Sequence, residues 1–204
     1  HRFHCFITDR RGTVEQWELF ADGRGAVDGR VVRRFSLESK VEGCVADDER
    51  GVVYVAEEER GIWRFGAEPD DSAPGVLIDP VAHEGPLVAD VEGVAVYAPE
   101  TDRGYLIASS QGNSTFVLYD RLPPHARVAV LEIKRGENAD GVSGTDGIEA
   151  TAASLPPAYP EGLLVVQDDR NGFQRQNFKL ISWQRIARAL ARSSRDPEHE
   201  TPDP

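Results

Sequence analysis

An acidic residue followed by glycine occurs three times at the head of an apolar segment, at nearly even spacing along the chain. The pairs are Glu42-Gly43, Glu92-Gly93 and Asp146-Gly147, so the repeating unit is about 50 residues long. Internal similarity at such a period indicates a solenoid or a propeller, because each unit must pack against the next to bury its apolar face. The repeat restricts the fold to architectures built from successive, similar units.

Each unit contains short strand-like segments separated by turn residues. The middle unit offers residues 91–97, 105–109, 116–120 and 128–133, and Gly, Pro, Asn and Asp lie between them. Four strands in each repeat are typical of a propeller blade. Helical spacing is found only near residues 183–191. We therefore expect an all-β fold, a β-propeller of four-stranded blades with one short helix.

The number of blades follows from counting segments on either side of the pairs. Three strand-like segments precede Glu42 and three follow Asp146. This gives about three and a half blades, whereas closed propellers have about four to eight. We expect the chain to open on the second strand of one blade and to end on the third strand of another. Residues 1–191 are thus predicted to be a propeller domain that lacks N-terminal blades, and residues 192–204 to be a polar, disordered tail.

Charge and composition exclude several classes of partner. The formal net charge is −12, which argues against nucleic acid because phosphate backbones need a basic surface. No apolar run reaches the length of about 18 residues that a membrane-spanning helix needs, so no membrane partner is expected. Cys5 and Cys44 lie in apolar surroundings and are interpreted as buried free thiols, although a disulfide between them stays possible.

Carboxylates are predicted to gather at one end of the propeller axis. The first strand of each blade lines the central channel, so the acidic pairs from successive blades should converge at one mouth. Asp90 and Glu92 are two residues apart, and in a regular strand such residues share a face. The residues predicted to meet at this mouth are Glu42, Asp90, Glu92 and Asp146.

Such a group calls for a counter-charge. Neighbouring carboxylates raise one another's pKa unless a cation lies between them. Calcium suits them because it takes six to eight oxygen ligands, and the lack of an accompanying His or Cys cluster argues against zinc or copper. The alternative is that each acid is a solvated turn residue before a turn-forming glycine. The metal site is favoured because three acidic-glycine pairs recur at the same position of the repeat, and the second pair has a further acid, Asp90, two residues before Glu92.

Two further acidic segments bear on this hypothesis. The run Glu57-Glu58-Glu59 reads as a solvated turn by itself, but its position one strand further on keeps Glu58 within reach of the mouth. The segment ENADGVSGTDG, which contains Asp140 among glycines, is similar to a calcium-binding loop, although it lacks EF-hand spacing.

Several long motifs together resemble the β-propeller phytases. They are VEGCVADDERGVVYVAEEERGIWRF, DVEGVAVY, GYLIASSQGNSTFVLYDR, TDGIEA and QNFKLISWQRIA, in order over about residues 3–190. The resemblance implies a six-bladed, alkaline, calcium-dependent enzyme. Its activity would be that of a phosphomonoesterase on myo-inositol hexakisphosphate (phytate), taken as the calcium complex. It also implies a secreted or periplasmic protein, and we expect a monomer at full length.

The resemblance assigns roles to individual residues. It implies that catalytic calcium ions are held by Glu42, Asp90, Glu92 and Asp146, with Glu58 in the same shell. Arg10 falls where the family has a basic residue, usually lysine, on a substrate phosphate; arginine keeps the charge but offers a planar fork. A separate, fold-stabilising calcium site is implied at Asp140, Asp168 and Asn171. Arg170 departs from the family pattern there, where an acid is usual.

The implied mechanism is hydrolysis by a metal-activated water. Calcium would reverse the local sign of an acidic protein towards a polyanion and activate water for in-line attack on phosphorus. Two alternatives stay open: a calcium-dependent lactonase or esterase propeller, and a non-catalytic, calcium-stabilised binding platform.

Overall fold

The computed structural model describes residues 2–136, 139–155, 157–171 and 174–193. Within these ranges the chain forms fourteen strands, one short 3₁₀ turn and one α-helix, so the predicted all-β class is confirmed. No helix in the described part is both long enough and apolar enough to cross a membrane. Of the predicted tail, residues 194–204 lie outside the described residues.

The strands run in chain order and are named accordingly. They are β1 (Phe3–Thr8), β2 (Thr13–Ala21), β3 (Val27–Ser36), β4 (Val41–Asp47), β5 (Val52–Glu57), β6 (Gly61–Gly66), β7 (Val76–Pro80), β8 (Val91–Glu100), β9 (Arg103–Ser110), β10 (Thr115–Asp120), β11 (Arg127–Leu131), β12 (Ile148–Thr151), β13 (Leu163–Asp168) and β14 (Asn177–Ser182). The helix α1 spans Trp183–Ser193, two residues longer than predicted.

Four antiparallel sheets follow one another along the chain. The second sheet has the order β4-β5-β6-β7 and the third the order β8-β9-β10-β11 in space, so the predicted four-stranded blade is confirmed for both. The first and last described sheets have three strands, β1-β2-β3 and β12-β13-β14. The first strands β4, β8 and β12 lie side by side. The sheets are therefore stacked as blades with their first strands innermost.

The place of β1 in its blade can be read from the hydrogen bonds to the next blade. The carbonyl oxygen of Asp9, just after β1, accepts from the N–H of Val41 at 3.3 Å. In the following blade the carbonyl oxygen of Glu58, just after β5, accepts from the N–H of Val91 at 3.2 Å. Strand β1 thus lies beside β4 as β5 lies beside β8, in the position of a second strand.

The core lies between neighbouring blades. Apolar side chains of the second blade, such as Tyr54 and Ile62, pack with Leu106 and Val117 of the third, and all four are fully buried. Alternation along each strand places these residues on the facing surfaces of adjacent sheets. Stacking of blades, and not any single blade, therefore buries the apolar surface.

Helix α1 packs on the apolar core shared by the third and the last described blades. Trp183 and Ile186 are its buried residues, and the Trp183 ring stacks on Tyr97 with ring centroids 3.4 Å apart. The spacing of three residues places both on one helical face. Cys5 and Cys44 are free thiols, as the preferred interpretation of the sequence expected, but they are half-buried and not buried.

Candidate active site

Each of the first two acidic-glycine pairs is a β-bulge in an inner strand. On β4, Val41 pairs with Glu57 and Cys44 with Val55, so Glu42 and Gly43 together oppose a single residue of β5. On β8 the pairing of Val91 and Val94 leaves Glu92 and Gly93 in the same relation to β9. A bulge bends the strand and re-aims a side chain. Each of these two acidic-glycine pairs therefore bends its strand as well as carrying a charge.

The register confirms that the three pairs are equivalent. Val94, directly after the second pair, faces Ala108, two residues before β9 ends. Ile148, directly after Asp146-Gly147, faces Val166, two residues before β13 ends. The pairs also share an end of the sheets, because the start of a first strand and the end of the antiparallel second strand coincide. Glu42, Glu92 and Asp146 therefore occupy one position in three successive blades.

Glu92 is the most deeply placed acid of this group. It is 6% exposed, and its carboxylate has no hydrogen bond or ion pair among the described residues. Burial, followed by the charges of Glu42, Glu58 and Asp146, raises the pKa of Glu92 to about 7. Three acids from three neighbouring segments therefore act on one buried carboxylate.

Lys40 provides a positive charge within the same group. Its Nζ lies 2.5 Å from Oε1 of Glu42 and 3.0 Å from Oε1 of Glu58. Hydrogen bonds to Glu42 and then Glu58 raise the pKa of Lys40 well above its usual value. We call Lys40, Glu42, Glu58, Glu92 and Asp146 the mouth cluster. It holds four carboxylates and one ammonium group.

The other predicted members lie nearby but differ in their contacts. Asp146 is exposed and accepts a hydrogen bond from Nε2 of Gln111. Arg10, in the turn after β1, is 85% exposed at its side chain, and its Nε lies 3.9 Å from Oε1 of Glu42. An ion pair as exposed as this one contributes little to stability. The guanidinium group of Arg10 is therefore available to bind an anion.

Asp90, like Glu92, has no side-chain partner among the described residues. It precedes β8, which begins at Val91, and Glu92 lies in the bulge, so the same-face rule for a regular strand does not apply to this pair. Both residues are described, and no hydrogen bond or ion pair of the Asp90 side chain is found. Asp90 is also not among the groups that act most strongly on the pKa of Glu92.

The mouth cluster suits a hard cation in its donor chemistry. All its acceptors are carboxylate oxygens, which calcium prefers, and the buried, unpaired Glu92 calls for a positive charge. As the side chains stand, however, no three His, Cys, Asp or Glu side chains of the described residues are arranged to hold one metal ion. Lys40 engages Glu42 and Glu58, and Gln111 engages Asp146. A metal ion that uses Glu42 or Glu58 would have to displace Lys40 from these carboxylates.

The residues predicted for the separate calcium site are brought together around an ammonium group. Nζ of Lys179 lies 2.8 Å from Oδ1 of Asp140 and 2.9 Å from Oδ2 of Asp168. It also lies 3.4 Å from Oδ1 of Asn171 and 2.8 Å from Oδ1 of Asn177. Burial opposes the charge of Lys179, but the hydrogen bonds to the two acids leave its pKa raised. With Lys179 in this position the oxygen atoms do not fit a calcium ion, and the predicted calcium stays a prediction.

Sequence reasoning missed Lys40, Gln111 and Lys179. A signal for Lys40 was present, since Lys40 stands two residues before Glu42 as Asp90 stands two residues before Glu92. The run at Glu57 was also misread in part. Glu57 is fully buried at the end of β5, where it accepts hydrogen bonds from the Ser39 N–H at 2.7 Å and Trp63 Nε1 at 2.7 Å.

Solved structures with a similar fold include WD40 repeats, which form propeller blades. The WD40 repeats of RRP9 superpose with a TM-score of 0.54 at 12% identity, over 88% of this chain and 47% of that one. The structure of U3-55K gives a TM-score of 0.51 at 11% identity, over 86% of this chain and 47% of that one. At such low identity these likenesses show the propeller fold alone.

Sequence comparison identifies the family. A 3-phytase of Bacillus subtilis (strain 168) is 43% identical over 192 residues, which is 92% of this chain and 50% of the relative. The chain thus spans about half the length of this curated relative. The family model described as Phytase matches residues 1–201. From the extent of this match and the identity to the Bacillus protein, the chain belongs to the phytase family.

Proposed function

We propose that this chain is part of a calcium-dependent phosphomonoester hydrolase that releases phosphate from phytate, with calcium phytate as the substrate. The observation that carries the proposal is the buried residue Glu92, whose carboxylate has no hydrogen bond or ion pair among the described residues and whose pKa is raised in part by three other acids. The similarity to a protein named 3-phytase supports the choice of substrate.

The residues proposed to hold calcium are those of the predicted mouth. They are Glu42, Glu58, Asp90, Glu92 and Asp146. When bound, calcium would supply charge neutralisation for the phosphoryl oxygens and a lowered pKa for a water molecule.

The protein side chains prepare this site in different ways. The bulges at Glu42 and Glu92 aim two carboxylates from adjacent inner strands at one place. Burial of Glu92 excludes water from one side of the site, which strengthens every electrostatic interaction there. Gln111 fixes the orientation of the Asp146 carboxylate. Arg10, exposed at the rim, offers a guanidinium fork that suits a phosphate group.

The two alternatives find less support. A lactonase or esterase acts on an uncharged group and has no use for Arg10 and Lys40 beside the carboxylates. A non-catalytic binding platform would hold calcium through the same carboxylates, and catalysis by the full-length protein separates it from the proposed hydrolase. Secretion or a periplasmic location, and a monomeric state, stay predictions.

The test is phosphate release from calcium phytate by the full-length protein, with Glu92→Gln and Glu100→Gln compared. Glu100 makes a matched control because it lies exposed at the opposite end of the same strand, 3.3 Å from Arg103. Glu92→Gln should lower the rate about tenfold or more, equivalent to about 1.4 kcal/mol. Part of the loss should return at higher calcium, since mass action offsets weaker binding. Unchanged turnover in Glu92→Gln, or turnover unaffected by a chelator in the parent protein, would contradict the proposal.

A further inference from the structure

Lys40 and Asp90 occupy the same position in successive blades but carry opposite charges. The carbonyl oxygen of Lys40 accepts from the N–H of Glu58 at 2.9 Å, and that of Asp90 accepts from the N–H of Gln111 at 2.9 Å. Glu58 directly follows β5 and Gln111 directly follows β9. At the position where one blade carries the carboxylate of Asp90, the preceding blade carries an ammonium group.

The contacts of Lys40 divide the mouth cluster into two halves. Glu42 and Glu58 are both ion-paired with Lys40, at 2.5 and 3.0 Å. Glu92 has no partner among the described residues, and Asp146 is held by the uncharged Gln111. One half is therefore already partly neutralised by a covalently attached cation, while the other half has no cationic partner among the described residues.

The ammonium group of Lys40 also retains binding capacity. A lysine has three N–H donors, and Glu42 and Glu58 are its only side-chain acceptors within the described part of the chain. Its side chain is 27% exposed, so the group is open to solvent on one side. Arg10 lies 3.9 Å from the same oxygen of Glu42, Oε1, that Lys40 contacts. Two basic groups thus flank one acid at the rim of the cluster.

We propose that Lys40 is a built-in cation of the mouth cluster, which competes with divalent metal for Glu42 and Glu58 and is released by that metal to bind a phosphoryl oxygen of the substrate. This inference rests on the proposed function and deepens it. The first metal ion binds on the side of Glu92 and Asp146, where no charge has to be displaced. A further ion must displace Lys40, and the freed ammonium group then joins Arg10 in holding the polyanionic substrate.

The first experiment measures calcium binding alone. Calorimetric titration of the full-length protein with calcium, without phytate, compares the parent with Lys40→Gln, Lys40→Arg and Lys134→Gln. Lys134 is a matched control because it is 75% exposed and paired with Glu132, away from the mouth cluster. Removal of the competing charge in Lys40→Gln should tighten calcium binding at one site about tenfold or more. Lys40→Arg and Lys134→Gln should bind calcium as the parent does.

The second experiment tests the released ammonium group. With calcium saturating, the affinity for inorganic phosphate should fall several-fold in Lys40→Gln, be kept in Lys40→Arg and be unchanged in Lys134→Gln. Equal calcium affinity in the parent and in Lys40→Gln, or undiminished phosphate binding in Lys40→Gln, would overturn the inference. If the proposed function alone is wrong, calcium will bind as described but phytate will not be hydrolysed.

Discussion

Gly43 lies so close to the backbone of Glu92 that a Cβ atom at position 43 would stand 2.3 Å from the carbonyl oxygen of Glu92. Gly93 makes the same approach to the next blade, where a Cβ would stand 2.9 Å from the carbonyl oxygen of Asp146. Both distances are shorter than atoms tolerate. The glycine of each acidic pair therefore lets adjacent inner strands meet, while the acid beside it reaches the mouth cluster.

This packing predicts that Gly43→Ala destabilises the protein. Because the clash is with backbone, the blades must move apart, and overpacking of this kind costs about 1–3 kcal/mol or more. Gly147→Ala is the matched control, since no described atom lies within 4 Å of a Cβ built at Gly147. Urea unfolding should show a lower midpoint for Gly43→Ala than for Gly147→Ala. Equal midpoints would show that the inner strands separate freely.

The buried Glu92 predicts a pH dependence of stability in the absence of metal. Its pKa in the folded protein is raised from its usual value to about 7, so the folded state holds a proton that the unfolded state releases. Stability therefore falls as the pH rises from about 4.5 to about 7, and the loss is complete above that range. Glu92→Gln should be as stable as the parent at pH 4 and more stable at pH 8. The difference is at most about 3 kcal/mol.

Urea unfolding in chelator across this pH range measures the difference, and Glu100→Gln provides the exposed control. Saturating calcium should abolish the advantage of Glu92→Gln at pH 8, because a bound cation favours the ionised carboxylate. An advantage that is the same at pH 4 and pH 8 would indicate improved packing and not the relief of a buried charge.

Much of the fold was predictable because its signals are local. Alternation of apolar residues and the turn residues between segments indicated the strands, and the three acidic-glycine pairs indicated their phase in the blades. The register confirms that phase for Glu42, Glu92 and Asp146. The bulges were not predicted, since a bulge depends on how two strands pair and not on one strand's pattern.

The cationic partners were harder to predict because they act over long separations. Arg121 lies in a turn between β10 and β11, yet its carboxylate partner Asp47 is 74 positions away. Nothing in the local sequence of either residue indicates the other. Lys179 likewise stands within an apolar strand pattern, where its charge gives no hint of the acids it meets. Blade stacking sets these contacts, so only the folded chain reveals them.

The buried ion pair of Arg121 and Asp47 predicts that the stability of the protein depends strongly on the shape of the cationic side chain at position 121. Both side chains are almost fully buried, at 1% and 2% exposure, with Nη2 of Arg121 2.5 Å from Oδ1 of Asp47 and Nε 2.7 Å from Oδ2. Arg121→Met should destabilise by about 3–5 kcal/mol, since a buried charge loses its partner. Arg121→Lys should recover only part of this loss because it lacks the planar fork. Arg103→Met, at an exposed pair with Glu100, should change the unfolding free energy by about 1 kcal/mol or less.

The position of Lys179 predicts how its removal changes stability, first without metal and then with calcium. Asp168 is fully buried, and its Oδ1 accepts from the Ser143 N–H at 3.1 Å while its Oδ2 accepts from Lys179. Lys179→Met leaves that charge without its partner and should cost about 3–5 kcal/mol in the absence of metal. The exposed Lys134→Met is the control and should cost about 1 kcal/mol or less.

Addition of calcium then distinguishes two interpretations of the acids Asp140 and Asp168 around Lys179. If the ammonium group of Lys179 takes the place of a metal ion, its removal frees carboxylate and amide oxygens that suit calcium. Calcium should then raise the melting temperature of Lys179→Met well above its value in chelator, because a ligand that binds only the folded state stabilises it. Calcium should raise the melting temperatures of the parent and of Lys134→Met by less. A parent protein that gains as much from calcium as Lys179→Met does would instead support the structural calcium site that the sequence predicted at Asp140, Asp168 and Asn171, with Lys179 moved aside by the metal.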